Sequence, residues 1–357
     1  MVRRYAQNVN LTITQTADSE NNIFGRTLNP HNTILTAGGS SGGKGALVPF
    51  RGSISGVGTD IAGSIRIPAL CCGVYGFKPT VDRIPFGGQV SGAVKGIPGL
   101  DPVAGPLAHS IADLKLQMSS VVADGQAWKY DSAAVGVPWQ TTPSGINASE
   151  SFTIGMLADD EHFPLNPPVK RALDRAVEAL TRAGYLSSEL VVAMKHRVWH
   201  MRRVLHFSIS TLARTRLLLG PAAIQQGLGP FETILELHQK LDVILAPGAQ
   251  STAVGHDTYG WPSYTVMWNV LDYPACIIPF GKASKKLDPE PMTTSDDSQP
   301  DYITDEVDGA PRAIQVVTSR FQDEKCLWAA DIIDRVLAVY SNEYWNAIWL
   351  RAICLPA

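Results

Sequence analysis

The sequence predicts an α/β protein, a β-sheet covered by helices. Two observations carry that prediction. Short apolar runs bounded by turn residues recur at 154–158, 241–247, 275–280 and 314–319. Stretches with helical periodicity alternate with them, most clearly at 167–183 and 323–340. No repeat and no clean linker divides the 357 residues, so a single domain over residues 1–357 is expected.

The elements follow in chain order. Residues 17–45 are rich in turn formers; Asn29-Pro30 marks a turn and Thr33 to Ala37 is expected as a short strand. A glycine-rich run at 38–45 leads into ALVPF, a second occupies 52–80, and five more glycines crowd 87–99. IGMLA at 154–158 reads as a buried strand. A helix starts at Pro167 and places Val169, Ala172, Leu173, Ala176, Val177 and Leu180 on one face, with Gly184 ending it. Residues 192–219 read as a long helical stretch, LDVILAP (241–247) and ACIIPF (275–280) as buried strands. The polar segment 282–310 is expected as a surface loop insertion, IQVVTS (314–319) as a strand, and 323–340 as an amphipathic helix. The apolar tail from Tyr344 is interrupted by Arg351 and reads as a docked terminal helix.

Composition excludes several function classes. With 45% hydrophobic and 18% charged residues, global disorder is ruled out. A net charge of −3 supplies no whole-chain reason to bind nucleic acid. No run of 18 apolar residues and no signal-type h-region is present. The five cysteines (Cys71, Cys72, Cys276, Cys326 and Cys354) are odd in number and fit neither a zinc site nor a disulfide framework. Reduced thiols in a cytoplasmic protein are the expectation. His196 and His200 stand four apart, but no Glu lies between them, so they do not form the metalloprotease motif. The acid-free cationic stretch Lys195 to Arg216 reads as a solvated helix face; contact with a membrane surface is the sharper alternative.

Three chemistries compete for residues 38–45. Gly38 to Lys44 satisfies G-x-x-x-x-G-K, but Gly45 stands where a P-loop needs Ser or Thr for its metal. Gly38-Gly39-Ser40-Ser41-Gly42 also fits G-x-S-x-G, the nucleophile elbow, which needs a downstream acid and histidine that the sequence does not single out. The third reading explains both glycine runs together. GGSSGG (38–43) and GTDIAGSIRIPA (58–69) are followed by CGVYGFKPT (72–80), NNIFGRTLNPHN (21–32) precedes them, and DPVAGPLAHSIADL (101–114), WNVLDYPACIIP (268–279) and GAPRAIQVVTSRFQDE (309–324) come after. In all of these the chain closely resembles the amidase signature family, nearest its acetamidase and fatty-acid-amide-hydrolase branch.

The resemblance implies a twisted mixed β-sheet core surrounded by α-helices, and hydrolysis of a small-molecule carboxylic amide without metal or organic cofactor. It matches Ser64 to the nucleophile that forms the acyl-enzyme. Ser40 matches the serine on a cis peptide that relays the nucleophile's proton toward a lysine. The N–H groups of Ile61, Ala62, Gly63 and Ser64 match the oxyanion hole. Ser41 is expected to support Ser40, and Asp60 and Arg66 to brace the loop. The family usually has Gly where this chain has Ala62, which is strained if the position needs positive φ. Thr14 aligns with the acyl pocket.

The family lysine lies well before GGSSGG, whereas residues 1–39 hold no lysine and Lys44 is the first in the chain. The resemblance therefore carries the expectation of a chain shortened at its N-terminus, lacking N-terminal elements and leaving an apolar face exposed. Three readings stay open: a shortened form of a longer amidase, a catalytically inactive amidase-like protein, or Lys44 as substitute base. A homodimer is left open as the assembly.

Overall fold

A computed structural model describes residues 17–88, 100–140, 153–157, 163–185, 241–294 and 299–353, the last twelve by backbone alone. The 192–219 stretch with His196 and His200, the 344–353 side chains, Thr14 and Cys354 lie outside what is described.

Seven strands form one sheet: β3 (Ser55–Asp60), β4 (Tyr75–Lys78), β5 (Val103–Ala108), β6 (Ile154–Met156), β7 (Val243–Pro247), β8 (Ala275–Lys282) and β9 (Pro311–Val317). Their spatial order is β3-β5-β4-β8-β9-β7-β6. Only the β6–β7 pair is parallel, so the sheet is mixed. β1 (Glu20–Asn21) and β2 (Gly25–Arg26) form a separate hairpin. The helices are α1 (Gly42–Leu47), α2 (Arg66–Cys72), α3 (Ile111–Ser119), α4 (Pro167–Arg182), α5 (Ser263–Val270), α6 (Thr304–Val307) and α7 (Asp323–Ile353).

Two apolar clusters sandwich the sheet, as side-chain alternation along the central strands requires. Cys276 and Ile278 of β8 join the larger cluster, which takes Leu114 from α3, Val169, Ala172 and Leu173 from α4, and Leu327 and Ile333 from α7. Ile277, between them, joins the smaller cluster with Ile67, Leu70 and Cys71 of α2. The α4 face read from the sequence is the buried face, and Gly184 follows it with φ +81°. Cys71, Cys72, Cys276 and Cys326 are free thiols packed as core.

One local expectation is corrected. Thr33 to Ala37 is not a strand: Leu35 and Thr36 make only isolated bridges, to Gly255 and Leu28. Most described residues of 282–310 lie at the surface, with Asp288 and Tyr302 buried as anchors and Arg171 paired with Asp288 at 2.5 Å. Phe50, Ile54 and Val57 are exposed beside the outer edge of β3, which among the described residues pairs only with β5. Among the described residues no helix is long and apolar enough to cross a membrane.

Gly105 sits in β5 where a second backbone passes close. A Cβ there would lie 2.2 Å from the Phe77 carbonyl oxygen and 2.9 Å from Ile65 Cδ1. Neither the strand oxygen nor the buried Ile65 can yield cheaply. Gly105→Ala is therefore expected to destabilise the fold by about 2–3 kcal/mol, read from the urea midpoint.

Candidate active site

The two glycine-rich loops meet at the β3 end of the sheet. The Gly39–Ser40 peptide is cis. Ser40 and Ser64 are both half-buried, and the loops touch where the Ser41 N–H donates to the Ser64 carbonyl (3.1 Å). The approach is permitted by small residues: a Cβ on Gly45 would lie 2.7 Å from Pro68 Cβ, so α1 can press against α2. Ser41, buried, accepts from the Thr59 N–H (3.1 Å) and donates to its carbonyl (3.3 Å), tying the Ser40 loop to β3. On the other side, Ser19 Oγ donates to the Gly38 carbonyl (3.1 Å) and accepts from the Gly42 N–H (3.0 Å). No strand runs directly into Gly38, although a P-loop and a nucleophile elbow both need one there.

The turn carrying Ser64 is braced from within. Asp60 Oδ1 accepts from the Gly63 N–H (2.8 Å) and Oδ2 from the Ile65 N–H (3.1 Å), so the carboxylate brackets Ser64. Arg66 donates to both carboxylate oxygens at 3.0 Å. Neither side chain has any exposed surface. Burial alone pushes the Asp60 carboxyl up; the Arg66 charge and hydrogen bonds from Arg66 and Asn269 outweigh it and hold the group down at about 2. The N–H groups of Ile61, Ala62 and Ser64 have no hydrogen-bond partner among the described residues, whereas that of Gly63 is taken by Asp60. Positive φ falls on Gly63 (+127°), not on Ala62, so the alanine is accommodated without strain.

Sequence reasoning missed Asn269 and Gln315. Asn269 Nδ2 donates to Asp60 Oδ1 (2.9 Å) and its Oδ1 accepts from Arg66 (2.5 Å). Gln315 Oε1 accepts from Arg66 (3.0 Å). Both lie more than 200 residues downstream, on α5 and β9; the only signal was that each falls inside a segment of the resemblance. Lys44 extends over Gly56 of β3, its Cγ 2.8 Å from where a Cβ would sit. Burial lowers its ammonium to about 8, and it forms no ion pair with a described residue. Among the described residues no three His, Cys, Asp or Glu side chains converge as metal ligands do.

Comparisons with known proteins bear on this arrangement. The family model described as "Amidase" matches residues 11–230 and 229–327. The chain is 36% identical over 347 residues to an amidase of Gibberella moniliformis, covering 88% of this chain and 63% of that one. It is 31% identical to an acetamidase of Emericella nidulans, covering 90% of this chain and 66% of that one. Among solved structures, fatty acid amide hydrolase superposes with a TM-score of 0.73 at 30% identity, over 90% of this chain and 63% of that one. A bacterial aryl acylamidase superposes with a TM-score of 0.66 at 20% identity, a likeness of fold alone. The chain thus spans just under two thirds of the length of the relatives it matches.

Asp60→Asn leaves Arg66 buried without its counter-charge, and is expected to destabilise by about 3–5 kcal/mol in chemical denaturation at pH 7. In the unaltered protein the carboxyl is depressed, from an ordinary 3.8 to about 2. Its stabilisation is complete above 3.8 and is lost as pH falls through 2. Denaturation midpoints taken between pH 5 and pH 2 should show that loss, about 2 kcal/mol from this group, and Asp60→Asn should show a correspondingly flatter profile.

Proposed function

The chain belongs to the amidase family, and from that premise we propose that it hydrolyses a carboxylic amide to the acid and an amine or ammonia through an acyl-enzyme on Ser64. The observation that carries this reading is the Ser41 N–H to Ser64 carbonyl bond, which joins two half-buried serines' loops beside a turn with open N–H groups. The substrate class, a small-molecule amide, is drawn from the relatives named amidase and acetamidase.

In the proposed sequence Ser64 Oγ attacks the amide carbon, and its proton passes to Ser40 as the C–O bond forms. The oxyanion accepts from the Ile61, Ala62 and Ser64 N–H groups, while the Gly63 N–H stays with Asp60. The tetrahedral centre collapses, the C–N bond breaks, and the proton returns through Ser40 to the leaving nitrogen. Water then attacks the ester, its hydroxyl going to the acid and its proton to Ser64. Ser40 in turn needs a base for its own proton; the substitute this reading puts forward is Lys44, half-buried with its Cγ packed over Gly56 of β3 and its ammonium lowered by burial to about 8.

A second reading, an amidase-like scaffold without turnover, is favoured by one observation: Lys44 packs its Cγ over Gly56 of β3 and makes no hydrogen bond to Ser40 among the described residues. One experiment separates the two. The folded chain is exposed to a serine-directed fluorophosphonate and its intact mass is measured. The expected result is a single adduct on Ser64, absent from Ser64→Ala and formed about 10²-fold or more slowly by Ser40→Ala. Folded protein with no adduct would rule out the acyl-enzyme reading in favour of the inert scaffold.

A further inference from the structure

We propose that Thr265 is a positioning residue that locks the Ala62–Gly63 peptide, and through it the geometry of the Ser64 turn. This inference rests on the acyl-enzyme reading for its functional consequence, though not for its structural content.

A peptide group has two polar ends, and fixing one leaves it free to rock about the other. Here both ends are fastened, from opposite walls. The Gly63 N–H donates to Asp60 Oδ1 (2.8 Å), at the end of β3. The Ala62 carbonyl accepts from Thr265 Oγ1 (2.7 Å), in the first turn of α5. The same hydroxyl lies 3.1 Å from the Pro262 carbonyl, which confines its rotation. Thr265 is buried, and its side chain stands directly on Gly63: a Cβ on that glycine would lie 2.3 Å from Thr265 Oγ1 and 2.7 Å from Thr265 Cβ.

The lock matters because the residue beside it is permissive. Gly63 has φ +127°, and glycine resists rotation of the preceding peptide less than any other residue does. The chain therefore holds this peptide by contacts and not by backbone preference. Helix geometry supplies the second half of the device. Asn269 lies four residues after Thr265, hence on the same face of α5. It holds the Asp60 carboxylate at 2.9 Å. One helix face thus secures the carbonyl end directly and the N–H end through Asp60. The peptides on either side carry the Ala62 and Ser64 N–H groups assigned to the oxyanion, so rocking this peptide would spread those donors.

The test compares Thr265→Val, which keeps the shape and removes the hydroxyl, with Thr265→Ser, which keeps the hydroxyl. Thr265→Ala serves as a second deletion should the valine variant not fold. Two readouts are taken in the full chain: amide hydrogen exchange at Gly63, and the rate of fluorophosphonate labelling of Ser64. We expect the deletion to speed Gly63 exchange and to slow labelling, each about 10- to 100-fold, with Ile277 exchange on β8 unchanged and with serine near the original in both. Gly63 exchange and labelling both unchanged in the deletion variants would overturn the lock. If the unsubstituted chain is never labelled but the exchange contrast appears, the lock stands and the acyl-enzyme reading falls.

Discussion

Asp60 and Arg66 are a charge pair with no contact to water, and moving such ions out of water costs several kcal/mol each. That penalty is offset only when the lone pairs and N–H groups find partners, and around this pair both carboxylate oxygens and four of the five guanidinium N–H groups do. The carboxylate takes two backbone N–H groups, two guanidinium contacts and the Asn269 amide. The guanidinium gives two further N–H groups to Asn269 and Gln315. Gln315 in turn donates to the Pro247 and Tyr264 carbonyls (3.2 and 3.0 Å). The network therefore ties the turn at 61–65 to β7, β9 and α5 at once. The Ser64 turn inherits its rigidity from the middle of the sheet, although it belongs to a strand at the sheet's edge.

A second buried cation explains the neighbouring Lys78-Pro79-Thr80. Lys78 Nζ donates to the Pro79 and Tyr273 carbonyls (3.0 and 3.1 Å), and burial lowers it to about 8. Thr80 gives its N–H and hydroxyl to the two oxygens of Asp323 (2.7 and 2.8 Å), the first residue of α7. Arg83 reaches Asp323 at 3.7 Å and Glu324 at 2.6 Å. These residues fasten the longest helix to the end of β4. The contacts these residues make are architectural ones.

What the sequence made legible follows from range. Helix α4 was readable because Pro167, the apolar spacing and Gly184 all lie within one element. The strands at 243–247 and 275–282 were readable because buried central strands are continuous apolar runs. The Ser40 and Ser64 loops were readable as a pair because their glycines are close in the chain. Asn269, Gln315 and Thr265 were not, since an amide or hydroxyl carries no local pattern and its partner lies two hundred residues away. Leu35 and Thr36 misled for the converse reason. Their apolar run resembled a strand, yet Asn29, with Nδ2 donating to the Thr36 and Cys71 carbonyls (2.9 and 2.8 Å), claims backbone that a ladder would have used.

The two halves of the candidate site are held by different forces. Ser64 sits on a turn clamped by buried charge, where losing one partner strands an ion. Ser40 sits on a loop held chiefly by neutral contacts, Ser19 with Gly38 and Gly42 and Ser41 with Thr59, together with one buried carboxylate, Asp18, on the Thr36 hydroxyl. Neutral hydrogen bonds net about 1 kcal/mol each, against several for a partner of a buried ion. Among the described residues the edge of β3 beside this loop has no further strand, and Phe50 and Ile54 lie exposed near it. Local opening free energies track buried contacts. Of the two, only the Ser64 turn is braced by an ion pair with no exposed surface, and the Ser41 N–H to Ser64 carbonyl bond is where the two loops join.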